Sequence, residues 1–206
     1  MGGILTWMRL LLAGLVLLVA GCTNLAPPTP TTKPPASEQE LEQIAVAYGR
    51  ASTYRARLDG VDGAERVLLL HDIVKPDREH VTVSVGWRSF EAIKIGNDVY
   101  LNNQGKWNRI TDPVQLPFSI NVEEIIAELE SGVREGRVSM GTVGEADGVA
   151  CQEWVLSPKA RGEGGTICVG VADHLPRRMV LTDDAGTITF TGWNQPFNID
   201  PPASTP

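Results

Sequence analysis

His80–Val85, HVTVSV, sets the period for most of this chain. Val81, Val83 and Val85 alternate with Thr82 and Ser84, so one face is apolar and the other polar, as in a half-buried strand. Trp87–Ile95, WRSFEAIKI, follows as a second strand. Gly96-Asn97-Asp98 then turns the chain into Val99–Leu101, and Asn103-Gln104-Gly105-Lys106 turns it again into Trp107–Ile110. Upstream, Tyr54, Ala56 and Leu58 alternate with Arg55, Arg57 and Asp59; Gly60–Gly63 reads as a turn, and Arg66–Val74 as an extended apolar run broken at Pro76-Asp77. Short turns of this kind join antiparallel neighbours, so the stretch predicts a β-meander with one buried face.

Two helices punctuate the strands. Ser37 and Glu40 form a capping-box pattern, and Leu41, Ile44, Ala45 and Tyr48 follow at i, i+3, i+4 and i+7, predicting an amphipathic helix to about Ala51. Thr111–Ser119, with Pro113 and Pro117, reads as a crossing loop. Asn121 and Glu124 open a second helix with Val122, Ile125, Ile126 and Leu129 on one stripe and Gly132 as its stop. A further β-run starts at Arg137, where Val138, Met140 and Thr142 alternate. Asp147-Gly148 is a hairpin signal. Val149–Leu156 and Thr166–Val171 flank a Gly-rich loop; Arg177–Thr182 and Thr187–Trp193 flank a turn at Asp183–Gly186; Phe197–Ile199 is a candidate edge strand.

The N-terminal region has a different character. Leu10–Ala20 is an unbroken apolar run of 11 residues behind a lead carrying Arg9, and Ala20-Gly21-Cys22 ends it. A run this short does not span a bilayer and has the layout of a secretory signal over residues 1–21. Val19-Ala20-Gly21-Cys22 resembles the bacterial lipobox, with Val19 where Leu is usual. That resemblance implies acylation of Cys22; stable anchoring takes more than one acyl chain, at roughly 0.8 kcal/mol per buried CH₂. Residues 22–36 contain the stretch Thr23–Ala36, with five Pro and four Thr, which reads as an extended tether. Residues 37–202 are then a single domain and 203–206 a disordered tail.

The formal charge of −7 disfavours nucleic acid as a partner. With Cys22 assigned to the anchor, Cys151 and Cys168 remain as a pair in an oxidising compartment. If they face each other in a hairpin, Gln152 faces Ile167 and Trp154 faces Gly165. Trp154, Leu156, Ile167, Val169 and Val171 then share the apolar face, and the bridge lies on the wetter one. Closing this loop contributes about 3 kcal/mol in the chain-entropy model.

Catalytic patterns are not assembled. His71, His80 and His174 lack metal-ligand spacing, and Ser139 has Arg137 where a G-x-S-x-G elbow needs its first Gly. Gly162–Thr166 lacks the G-K-[ST] ending of a phosphate loop, and Asp183-Asp184 lacks a calcium-loop pattern. The expectation is a non-enzyme without cofactor or metal.

Three local stretches resemble LppX/LprG-type lipoproteins of the LolA/LolB-like superfamily. They are Gly96–Leu101 followed by Lys106-Trp107; Thr166–Val180 through Asp173-His174-Leu175-Pro176; and Thr189–Ile199, ending Asn194-Gln195-Pro196-Phe197-Asn198-Ile199. The resemblance implies an α+β fold: a curved antiparallel sheet, a half-open β-barrel, with helices on its concave side. It also implies an apolar cavity that binds or carries acyl chains of a lipid or a lipidated ligand. Candidates to line it are Leu41, Ile44, Tyr48, Ile125, Ile126, Leu129 and Trp154, although for any one of them filling the core is the simpler role. The expected setting is the extracytoplasmic side of a cell membrane or outer membrane, held through acylated Cys22, with an envelope transport partner. Thr23, where an inner-membrane retention signal has Asp, permits outer-membrane delivery. The rival readings are an envelope interaction or sensor module of the same fold without lipid, and an envelope hydrolase.

Overall fold

Six strands rise and fall in sequence before the first crossing: β1 (Thr53–Asp62), β2 (Glu65–Val74), β3 (Arg78–Val85), β4 (Arg88–Ile95), β5 (Asp98–Asn103) and β6 (Lys106–Ile110). Five more follow: β7 (Val138–Ala146), β8 (Val149–Leu156), β9 (Gly165–Gly170), β10 (Pro176–Leu181) and β11 (Gly186–Thr191). Helix α1 (Ala36–Arg50) precedes the first meander, and α2 (Val122–Arg134) separates the two. This computed structural model describes residues 36–110, 116, 119–159 and 164–203. The expected signal segment, Cys22, the tether up to residue 35 and residues 204–206 lie outside the described residues, as do most of the crossing loop and the tip of the Gly-rich loop. Residues 34–206 form one compact unit.

Both meanders belong to one sheet, in the order β6-β5-β4-β3-β2-β1-β11-β10-β9-β8-β7. The join is an antiparallel pair between β1 and β11, from Arg55 opposite Thr191 to Gly60 opposite Gly186. The sheet is curved and not closed, a half-open barrel, with both helices on its concave side. Alternation sets which residues face inward. Tyr54, Ala56, Leu69, Ile73, Val81, Val83, Ala92 and Val99 form a core with Trp154, Leu156, Ile167, Val169, Ile188 and Phe190. Leu41, Ile44 and Tyr48 of α1 and Val122, Ile126 and Leu129 of α2 close it from above.

Several boundaries differ from the sequence reading. Gly60 lies inside β1, and the turn falls at Gly63. Gly60 is required because β1 passes so close to the Ala185 carbonyl that a Cβ would collide with it. Helix α1 begins at Ala36, so Ser37 sits within its first turn. Helix α2 runs past Gly132 to Arg134. Gly132 is instead a packing position: a Cβ there would lie 2.5 Å from Val138 Cγ2 and 2.7 Å from Leu156 Cδ1. The left-handed glycine beyond the helix is Gly136. Residues 197–199 are not a strand. Strand β7 is an edge with a bulge between Met140 and Val143, and Met140 is exposed.

The cysteine register is also corrected. Cys151 lies opposite Gly170, and Cys168 opposite Glu153, so the bridged residues are diagonal neighbours. The 5.4 Å Cα separation suits a disulfide. The shift is two residues, which preserves the faces; Trp154, Leu156, Ile167 and Val169 stay inward, while Val171 lies beyond β9 and is exposed. The bridge is not on a wet surface: Cys151 and Cys168 are fully buried beside Ala146. The β9–β10 connection folds back there, bringing the Asp173–Arg177 ion pair against Gly170.

Candidate functional site

One transverse row crosses the inner face from β4 to β7. It runs Phe90, Val83, Leu69, Leu58, Ile188, Met179, Ile167, Trp154 and Met140, each paired with the next across neighbouring strands. All nine are apolar, although they come from nine strands spread over the whole domain. Such cross-strand rows are the units from which a sheet face is built.

Helix α2 does not cover the middle of this row. A cavity of 870 Å³ lies between them, lined by Leu58, Leu69, Leu156, Ile167, Met179, Leu181 and Ile188 of the sheet and by Ile125 and Leu129 of α2. Leu58, Met179, Leu181 and Ile125 are only half-buried, although they pack against the core. Their accessible surface faces this space. The volume is in the range that holds a small-molecule ligand, roughly 300–1,000 Å³. Its rim is polar: Ser119, Asn121, Glu124, Glu128 and Lys159. Arg137 pairs with Glu128 at 2.7 Å and with Glu135 at 2.6 Å, and Lys159 meets Glu135 at 3.2 Å. Hydrogen bonding to Arg137 and Ser131 holds the Glu135 carboxyl down at about 2.

Of the seven residues proposed from the sequence, Ile125 and Leu129 line this cavity. Ile44, Ile126 and Trp154 are packed in the core, Leu41 borders a groove between α1 and α2, and Tyr48 lines a second, polar pocket. The sequence reading missed the strand residues Leu58, Met179, Leu181 and Ile188. Only Leu58 falls in an alternation that marks its face, and which inward residues remain uncovered depends on where α2 lies.

The polar pocket, of 320 Å³, sits on the other flank of α2. His71 is 2% exposed. Its Nδ1 accepts the Ile120 N–H at 3.2 Å, which leaves the ring proton on Nε2, donated to Glu79 Oε2 at 3.1 Å. Lys94 Nζ donates to the other Glu79 oxygen at 2.6 Å. These hydrogen bonds, from His71 first and Lys94 second, hold the Glu79 carboxyl at about 2. Beside them Tyr48 Oη lies 3.4 Å from Tyr54 Oη, and Tyr54 stacks on Trp193 at 4.7 Å. Burial pushes the Tyr54 phenol up to about 12 and that of Tyr48 further. Lys75 donates to the Tyr48 carbonyl at 2.8 Å and lies over its ring, and burial lowers its pKa. Both His71 nitrogens and both Glu79 oxygens are thus engaged in holding the lead-in to α2. Asn121 caps that helix by accepting from the Glu124 N–H. Among the described residues, no group of three or more His, Cys, Asp or Glu could hold a metal ion.

No protein-family model matches the chain, and no curated protein matches it. Among solved structures, lipoprotein LppX of Mycobacterium tuberculosis superposes with a TM-score of 0.55 at 14% identity, over 82% of this chain and 100% of that one. LprF of Mycobacterium bovis superposes with a TM-score of 0.54 at 16% identity, over 82% of this chain and 97% of that one. At such identity the likeness is one of fold. The fold is that of LppX and LprF, the type that the three sequence stretches resemble.

Proposed function

We propose that this protein is a membrane-anchored bacterial lipoprotein that binds or carries lipid acyl chains in the cavity between α2 and the sheet. The observation that carries this reading is the uncovered apolar surface of Leu58, Ile125, Met179 and Leu181 around 870 Å³ of space. Leaving such side chains accessible forgoes roughly 25 cal/mol per Å² of burial, which an apolar ligand restores. Burying one 16-carbon chain contributes on the order of 10 kcal/mol before association costs. Acylation of Cys22 places the domain on the extracytoplasmic side of a membrane. Among the described residues no helix is long and apolar enough to cross a bilayer. In this reading the protein works by burial, and loading or unloading falls to an envelope transport partner.

Native mass spectrometry of residues 34–206 purified from bacteria tests the proposal. The expected result is a stoichiometric adduct that organic extraction removes and whose mass names the ligand. A bare mass, together with no uptake of fluorescent acyl probes, would sink the carrier reading and favour an interaction or sensor module.

A further inference from the structure

We infer that the end of the sheet bearing the β1–β2 and β3–β4 turns contacts a lipid surface, with Trp87 as the inserting side chain. This deepens the reading of the chain as a lipid binder and rests on it. Trp87 is 89% exposed at the tip of the turn that Gly86, at φ +57°, makes possible. Val61, at the neighbouring turn, is 52% exposed. A fully presented indole costs solvation in water and suits the bilayer interface, where its apolar body and N–H are both accommodated.

The register puts these turns at the same end of the sheet as part of the cavity lining. Val85 pairs with Arg88 and with Val67, Val67 with Gly60, and Gly60 with Gly186. At the same end Leu181 pairs with Gly165, and both line the cavity. Helix α1 points the same way. Glu38 and Leu41 of its first turns share a groove with Glu130 and Arg134 of the last turns of α2, which lead into β7 at that end. The first turns of α1 therefore lie toward the end of the sheet that bears Trp87. Thirteen residues, 23–35, separate Cys22 from α1, a reach of at most about 45 Å at ~3.5 Å per residue. Charge does not drive the contact. Arg66 pairs with Asp59 at 2.7 Å and Arg88 with Glu65 at 2.9 Å, and Asp62 beside them is acidic.

The test attaches residues 34–206 through an N-terminal histidine tag to phosphatidylcholine vesicles containing a nickel-chelating lipid and brominated acyl chains. Tryptophan quenching that Trp87→Phe largely removes, and that added salt leaves unchanged, is the expected result. Transfer of a fluorescent acyl probe from these vesicles should slow several-fold in Trp87→Ser and not in Trp107→Phe. Equal quenching in wild type and Trp87→Phe overturns the inference, as does quenching abolished by salt. The two readings fail separately. Quenching without probe uptake supports the contact and removes the carrier. Probe uptake at an unchanged rate in Trp87→Ser, without quenching, removes the contact and keeps the carrier.

Discussion

On one flank of α2 the sheet presents Leu58, Leu69, Met179, Leu181 and Ile188; on the other, a few residues along the same strands β1 and β2, it presents Tyr54, His71 and Ile73, with Glu79 and Lys94 beyond. The apolar flank is left uncovered. The polar flank is satisfied internally, its histidine and carboxylate bonded to one another, to Lys94 and to the Ile120 backbone. A buried polar group without a partner is costly, so the polar flank must be closed for the fold to stand. An apolar surface without a partner costs less and remains available to a ligand. The polar flank therefore fixes where α2 begins, and α2 thereby holds the apolar flank open.

Filling the open flank breaks the comparison most directly. Leu58→Trp with Met179→Trp occupies the space of about four methylenes, and at ~0.8 kcal/mol each acyl affinity should fall about two-hundredfold. Probe titration measures the loss, and melting should show the fold retained. His71→Ala attacks the closed flank, leaving the Ile120 N–H and a Glu79 oxygen without partners. Urea unfolding should show a loss of about 2 kcal/mol. If stability is unchanged, the network does not hold α2. Gly132→Ala pushes the C-terminal half of α2 away from Val138 and Leu156, at a cost of about 1 kcal/mol. It should alter acyl-chain length preference while leaving the polar flank intact.

The smallest effect concerns pH. Glu79 titrates at about 2 in the folded protein against an ordinary value of 4.5. Its contribution is therefore complete above pH 4.5 and lost as pH falls toward 2. Glu79→Gln should flatten stability across that window, as acid titration of melting temperature would report, and leave probe binding at neutral pH unchanged.

Much of this was legible in the chain. The alternation Val81, Val83, Val85 and its counterparts gave the strands and their faces, because period two is imposed by the pleat itself. Asn121 with Glu124 marked the start of α2, because an N-cap is a local hydrogen-bond requirement. Gly132 misled, since a glycine demanded by packing against Val138 and Leu156 looks in sequence like one demanded by a helix end. The cysteine spacing left the register two residues adrift, because parity is blind to even shifts. Leu41, Ile44 and Trp154 could not be separated from Leu58 and Met179 as filler or lining, since all are apolar and inward.

By itself the sequence determined the local terms: which residues alternate, where helices start, which two cysteines remain to pair, and that the N-terminal run resembles an anchor. These depend on neighbours a few positions away. Only the tertiary structure decided that β1 and β11, well over a hundred residues apart, unite two meanders into one sheet. It also decided that α2 covers His71 and leaves Leu58 uncovered. Those outcomes come from long-range pairing and the placement of one helix over a curved face, and no local pattern encodes the space that such packing leaves empty.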